Sequence, residues 1–233
     1  LRRVDRTPET RAAIRASLAV ALAVSLYGVS FGALAVASGL TIWQTCVLSL
    51  FMFSGGSQFA LIGVLASGGA SAALPAIVGA ALLGTRNGLY AIKMSPIIGG
   101  PWWRKLLAGH ITIDESTAVA TAQPTREAQR MGFWWTGISL FVGWNLTTLI
   151  GAIIGNALGD VRRYGLDAAA AAAFLGLLWP RLTALQPVVV AVAAAVVAAV
   201  LTPTLPAGVP ILIAALVAVV VGGFNLFVKR EAK

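Results

Sequence analysis

The sequence predicts an all-α polytopic membrane protein with about six to eight transmembrane segments. Three observations predict it. The 233 residues are 58% hydrophobic and only 11% charged, with a mean hydropathy of +0.87. Apolar stretches of about 17–25 residues recur, each long enough to cross about 30 Å of hydrocarbon. Lys and Arg cluster at the ends of those stretches, as they do in cytoplasmic loops. The short alternating segments of a β-barrel are absent. The net charge of +9 is therefore read as membrane orientation and not as nucleic-acid binding. The single cysteine, Cys46, excludes an internal disulfide and a cysteine metal site. No metal or other cofactor is implied.

Residues 1–15, with Arg2, Arg3, Arg6, Arg11 and Arg15, read as a cytoplasmic tail. Residues 16–228 read as a single transmembrane transporter domain and 229–233 as a second cytoplasmic tail. The first span, 16–38, is too long for a signal peptide's apolar core, so it is read as uncleaved. Its Ser25, Gly28, Ser30 and Gly32 form a small-residue face suited to close helix packing. The uncharged turn at Ser38-Gly39 reads as external. Further spans are expected at 73–98, 133–158, 166–183, 186–202 and 210–228. Trp102, Trp103, Trp134 and Trp135 suit interfacial belts.

Two stretches do not fit a full crossing. The first, 42–66, holds "FMFSGGSQFALIG". If it crosses once, the basic loop 99–105, with Arg104 and Lys105, falls outside, against the positive-inside rule. If it dips in and returns, that loop falls inside. Halves at 42–53 and 57–67 would each be about 17 Å long at 1.5 Å per residue, reaching the bilayer middle. Gly55 and Gly56 would sit at the break. The second stretch, 106–122, carries Asp114 and Glu115. Each costs about 2.5–3.5 kcal/mol at a span's centre, while each apolar residue returns only about 0.3–0.6. It should be a second broken or re-entrant element. The result is six full spans and two partial ones with both termini inside. The alternative is eight full crossings.

The polar groups at membrane depth are the candidate site. Broken backbone is tolerated in a bilayer only where protein buries it or it lines a cavity. N–H groups freed around Ser54, Gly55, Gly56, Ser57 and Gln58 would face an anion with the positive end of a helix dipole. Small-residue packing is the alternative. Arg86, Tyr90 and Lys93 share a helical face, with Arg86 too deep to snorkel. It is either a carboxylate-binding charge or half of a structural ion pair. His110 and Asp114, four apart, would share a face on one helix. Asp114, Glu115 and His110 are candidates for proton coupling or ammonium binding, because an intramembrane acid is functional by default. Asn145, Thr147 and Thr148 suit interhelical hydrogen bonds. Phe51, Phe53, Phe59 and Phe174 are candidate walls for an apolar side chain. A competing reading is an intramembrane hydrolase using Ser54 or Ser57 with His110. Another is a non-transporting assembly subunit. There is no HExxH motif and no ATP-binding motif.

The stretches "FGALAVASGLT", "FMFSGGSQFA", "TRNGLYAIKMSP", "TIDES" and "GLDAAAAAAFLGLLWP" resemble the large subunit of AzlC-type branched-chain amino-acid exporters. The likeness covers about residues 25–180. Phe53 to Phe59 match the family's Phe-Ala-Gly-Ser-x-Gln-Phe stretch, and Asp114 and Glu115 match its acidic element. Thr85-Arg86-Asn87 keeps the arginine of its Asn-x-Arg-His segment and replaces the neighbours. The resemblance implies export of leucine, isoleucine and valine across the plasma membrane, with methionine as a further candidate. It also implies a small hydrophobic AzlD-type partner subunit and drive by protons. On that reading Ser54, Gly55, Gly56, Ser57, Gln58, Phe59 and Arg86 bind substrate.

Overall fold

The first helix opens with a proline, which has no N–H to lose there, and with Thr7 accepting from the Thr10 N–H at 3.3 Å. The structure is a computed structural model that describes residues 7–159, 172, 175–176, 178–224 and 226–227. Helix α1 (Pro8–Ser25) passes through Leu26, whose backbone angles are helical, into α2 (Tyr27–Ala37). Together they form one 30-residue apolar run. It begins inside the stretch read as a tail, because the capped "PETRAA" segment is itself helical, with Arg11 and Arg15 exposed. Gly39, at φ +95°, ends the run in a conformation that side chains disfavour.

The stretch at 42–66 is broken, as the charge bias requires. Helix α3 (Ile42–Phe51) and helix α4 (Gly55–Gly68) flank a non-helical Met52–Ser54. The first turn of α3, at Trp43 and Gln44, lines an open cleft of about 670 Å³ together with Leu65, Gly69 and Ala70 from the far end of α4. Ser38, at the end of α2, bonds the Ile62 carbonyl of α4 at 3.3 Å. Both arms therefore start and finish at the same face, and Met52–Ser54 is the tip of a re-entrant hairpin.

Helix α5 (Ala73–Ile98) returns beside α4 and continues to the opposite face. There Arg126 and Arg130 donate to the carbonyls of Pro96 and Ile97 at its end. The second dubious stretch is also broken. Helix α6 (Trp102–His110) and helix α7 (Asp114–Thr121) flank Ile111–Ile113. The base of α6 lies at the Arg126 face, where the Arg104 guanidinium sits 5.5 Å over Trp134. The chain leaves α7 to begin α8 (Arg126–Leu158) at that same face. Two hairpins thus enter from opposite sides.

Helix α8 is the spine. Its 33 residues extend about 50 Å at 1.5 Å per residue, beyond the hydrocarbon thickness. It runs parallel to α1 and α2: Ser17 bonds the Gly132 carbonyl, and Thr147 bonds that of Ser25. Along α2, Gly28 and Gly32 face Thr147 and Thr148, while Gly151 and Gly155 face Val29 and Ala33. A Cβ at Gly32 or Gly151 would meet backbone, so the small face found in the sequence is a helix–helix seam. Helices α9 (Leu185–Leu201) and α10 (Val209–Gly223) pack on each other. Gly208, just before α10, abuts Val64 and Pro75. Arg162, Arg163, Phe174 and residues 229–233 lie outside the described residues, as does half of the expected span at 166–183.

These features make two predictions. In a Cys46-free variant, a cysteine at Ser71 should label from outside and one at Arg104 from inside. Same-side labelling would mean that the chain does not cross between them. Gly151→Val should destabilise the detergent-solubilised protein by about 1–3 kcal/mol or more, read as a fall in melting temperature. An unchanged melt would show that the seam tolerates side chains.

Candidate functional site

The tip of the first hairpin is built without glycine. Met52 ends α3 at φ −105°, ψ 64°, and Ser54 is extended at φ −159°, ψ 100°. Any residue can adopt such angles. This corrects the expectation that Gly55 and Gly56 form the break: they are the first two residues of α4. They serve close approach instead. A Cβ on Gly55 would stand 3.1 Å from the Trp144 ring, and one on Gly56 would stand 2.8 Å from Arg86 Nη2. Ser57 and Gln58 are helical as well, so only Ser54 of the five expected residues is unwound.

Gln58 holds this tip together. Fully buried, it donates from Nε2 to the Met52 carbonyl at 2.7 Å and accepts from Trp144 Nε1 at 2.8 Å. One side chain satisfies the end of α3 and ties the tip to the spine. Ser54 donates to Ser57 Oγ at 3.1 Å and does not cap α4. The N–H groups of Gly55, Gly56 and Ser57 are those that a helix leaves without internal acceptors. Phe59 is packed edge-on against Phe31 and Trp144, at 2% exposure. Phe53 lies in the same core and touches Phe141, whereas Phe51 faces outward.

The second tip has its own staple. Ser116 Oγ accepts from the Ile113 N–H at 3.0 Å and contacts the Ile111 carbonyl at 2.9 Å. Asp114 is the first residue of α7, where the helix dipole favours a carboxylate. Arg86 Nη2 lies 2.8 Å from Asp114 Oδ2, and Tyr90 donates to Asp114 Oδ1 at 2.9 Å. Glu115 follows at the second position of α7. Because Arg86 also lies against Gly56, the guanidinium sits between the N-termini of two half-helices. Among the described residues, Arg86 Nε and Asn87 Oδ1 are buried without a protein partner.

His110 and Asp114 do not share a helix, because the break falls between them. His110 bonds the Leu50 carbonyl of α3 at 2.9 Å. Its ring lies 5.5 Å from Phe141 and 6.5 Å from Phe53. It therefore does not serve Ser54 or Ser57 as a base in this structure. Phe141 and Trp144 bracket the midpoint of α8, so both tips meet half-way along the spine.

A family model described as AzlC protein matches residues 19–158. The chain belongs to the AzlC family. The match contains both hairpins, α5 and the spine. No curated protein and no solved structure matches the chain. As an AzlC member it is a multi-pass membrane protein of a transport-associated family.

In this AzlC chain the structure joins Gly56, Arg86, Tyr90 and Asp114, and puts Gln58 and His110 at the tips. Lys93 is exposed on α5. Asn145 was expected to bond between helices, but its amide donates to the Phe141 carbonyl of its own helix at 2.7 Å. Thr147 and Thr148 make interhelical bonds, to the Ser25 carbonyl and with the Ser49 hydroxyl at 3.4 Å. Trp144 is the residue that the sequence reading missed. Its signal was depth: it lies in the middle of its span, too far in for an interfacial belt.

Gln58→Ala should orphan the Trp144 indole N–H, while the Met52 carbonyl keeps the Ser54 N–H at 2.8 Å. The expected cost is about 1–3 kcal/mol for the orphaned group, read as a lower melting temperature in detergent. Retention of the full melting temperature would show that the amide does not hold the tip.

Proposed function

We propose that this AzlC chain is the large permease subunit of a secondary exporter of branched-chain amino acids. Its substrates are leucine, isoleucine and valine, with methionine as a further candidate, and protons drive it. The observation that carries this reading is the Arg86–Asp114 ion pair between the starts of α4 and α7.

A zwitterion carries the same two charges as that ion pair. Its carboxylate can take Arg86 and the N–H groups of Gly55, Gly56 and Ser57. Its ammonium can take Asp114, with Glu115 beside it. Substrate entry then replaces one ion pair by two. When substrate leaves, the pair closes on itself, so neither charge is left bare in low dielectric. The unpartnered Arg86 Nε is further polar capacity at this point. Phe53 supplies apolar surface beside the tip. A proton on Asp114 would remove the ammonium's partner, so proton and substrate compete. Such competition is what exchange of one for the other requires.

On this reading the protein sits in the plasma membrane with both termini cytoplasmic, beside a small hydrophobic AzlD-type subunit. Membership of the AzlC family supports a membrane partner of that kind. The hydrolase alternative loses support because His110 is bound to Leu50 and the two serines are bound to each other.

The test is valine accumulation in everted vesicles that hold both subunits and an imposed proton gradient. Wild type should accumulate valine. Asp114→Asn and Arg86→Gln should reduce accumulation at least about tenfold, the scale of one lost charge-assisted hydrogen bond, with normal membrane content. Wild-type rates in both variants would reduce the ion pair to a structural role.

A further inference from the structure

We propose that His110 is a positioning residue that latches the two hairpin tips to each other. This deepens the transport reading above and rests on it. The last carbonyls of α3 end in the middle of the membrane, where each needs a protein partner. The Met52 N–H bonds the Leu48 carbonyl at 2.9 Å, within the hairpin. Gln58 serves the Met52 carbonyl, and it belongs to the same hairpin, so that bond travels with it. The Leu50 carbonyl is different. Its partner is His110 at 2.9 Å, the last residue of α6 in the opposing hairpin.

Leu50 stands two residues before the first break, and His110 immediately precedes the second. A shift of either tip therefore pulls on the other. The ring is steered to that carbonyl by Phe53 on one hairpin and Phe141 on the spine. A carbonyl only accepts, so Nε2 carries the hydrogen. Protonation at Nδ1 would leave this bond intact. His110 thus latches in either charge state, and the role of proton carrier falls to the acids on α7.

The experiment compares valine transport by the two-subunit complex carrying His110→Gln, His110→Asn or His110→Leu. A glutamine places its amide nitrogen at the reach of Nε2; asparagine and leucine provide no donor there. The expected result is near wild-type transport for His110→Gln, with an unchanged pH profile. His110→Asn and His110→Leu should lose about tenfold in maximal rate, the scale of one hydrogen bond, with KM within about twofold. A retained KM shows that the site itself is folded. Full activity in His110→Leu would overturn the latch. So would an inactive His110→Gln, or one whose pH dependence is flattened, since either outcome makes the imidazole itself necessary. Wild type that moves no valine would overturn the transport reading instead.

Discussion

A helix interrupted in the middle of a bilayer exposes carbonyl and amide groups where no bulk water can reach them. The centre of this protein depends on how those groups are satisfied. Gln58 closes the end of α3 and is itself held by Trp144. Ser116 closes the turn between α6 and α7. His110 bonds the Leu50 carbonyl across the gap between the hairpins. Side chains thus serve acceptors at both breaks, and the donor ends at the start of α4 face the guanidinium of Arg86. The electrostatic character of the site follows from that asymmetry.

The charges are placed to offset that local field. Asp114 at the start of α7 gains from the helix dipole, from Arg86 and from the Tyr90 hydroxyl at once. Arg86 approaches α4 closely because Gly56 has no side chain there. Two dipole ends and a guanidinium are set against the carboxylate of Asp114, with Glu115 next in the chain. A buried ion pair stabilises little by itself once desolvation is counted. This pair is also about a quarter exposed, each side chain at 26%, and so is reachable. A reachable, balanced pair suits exchange with a doubly charged ligand better than it suits a permanent strut.

Much of this was legible in the sequence, for identifiable reasons. The two hairpins followed from charge: Arg104 and Lys105 had to face one side, and Asp114 and Glu115 could not cross alone. The Gly28–Gly32 face announced a tight seam, and Arg86 and Tyr90 were matched by helical spacing. Three details were not legible. The tip fell at Met52–Ser54 and not at the glycines, because extended backbone needs no glycine while close approach does. His110 and Asp114 were separated by a break that helical periodicity could not reveal. Gln58 looked like a ligand, since nothing local shows that its partners are a carbonyl six residues back and an indole 86 residues on.

The glycine seam between α2 and α8 has a mechanical consequence. Two parallel spans in backbone contact resist bending as a single beam. On the proposed transport reading they would be the stationary part, and shape change would be left to half-length elements hinged at opposite faces. Each is only about 15 Å long if it has ten residues, and the open cleft beside α3 leaves the outer one room to swing. On the proposed transport reading, a cargo seated between the tips would have one such flap above it and one below. The working stroke would then be the tilt of a short lever, with no full span sliding through lipid.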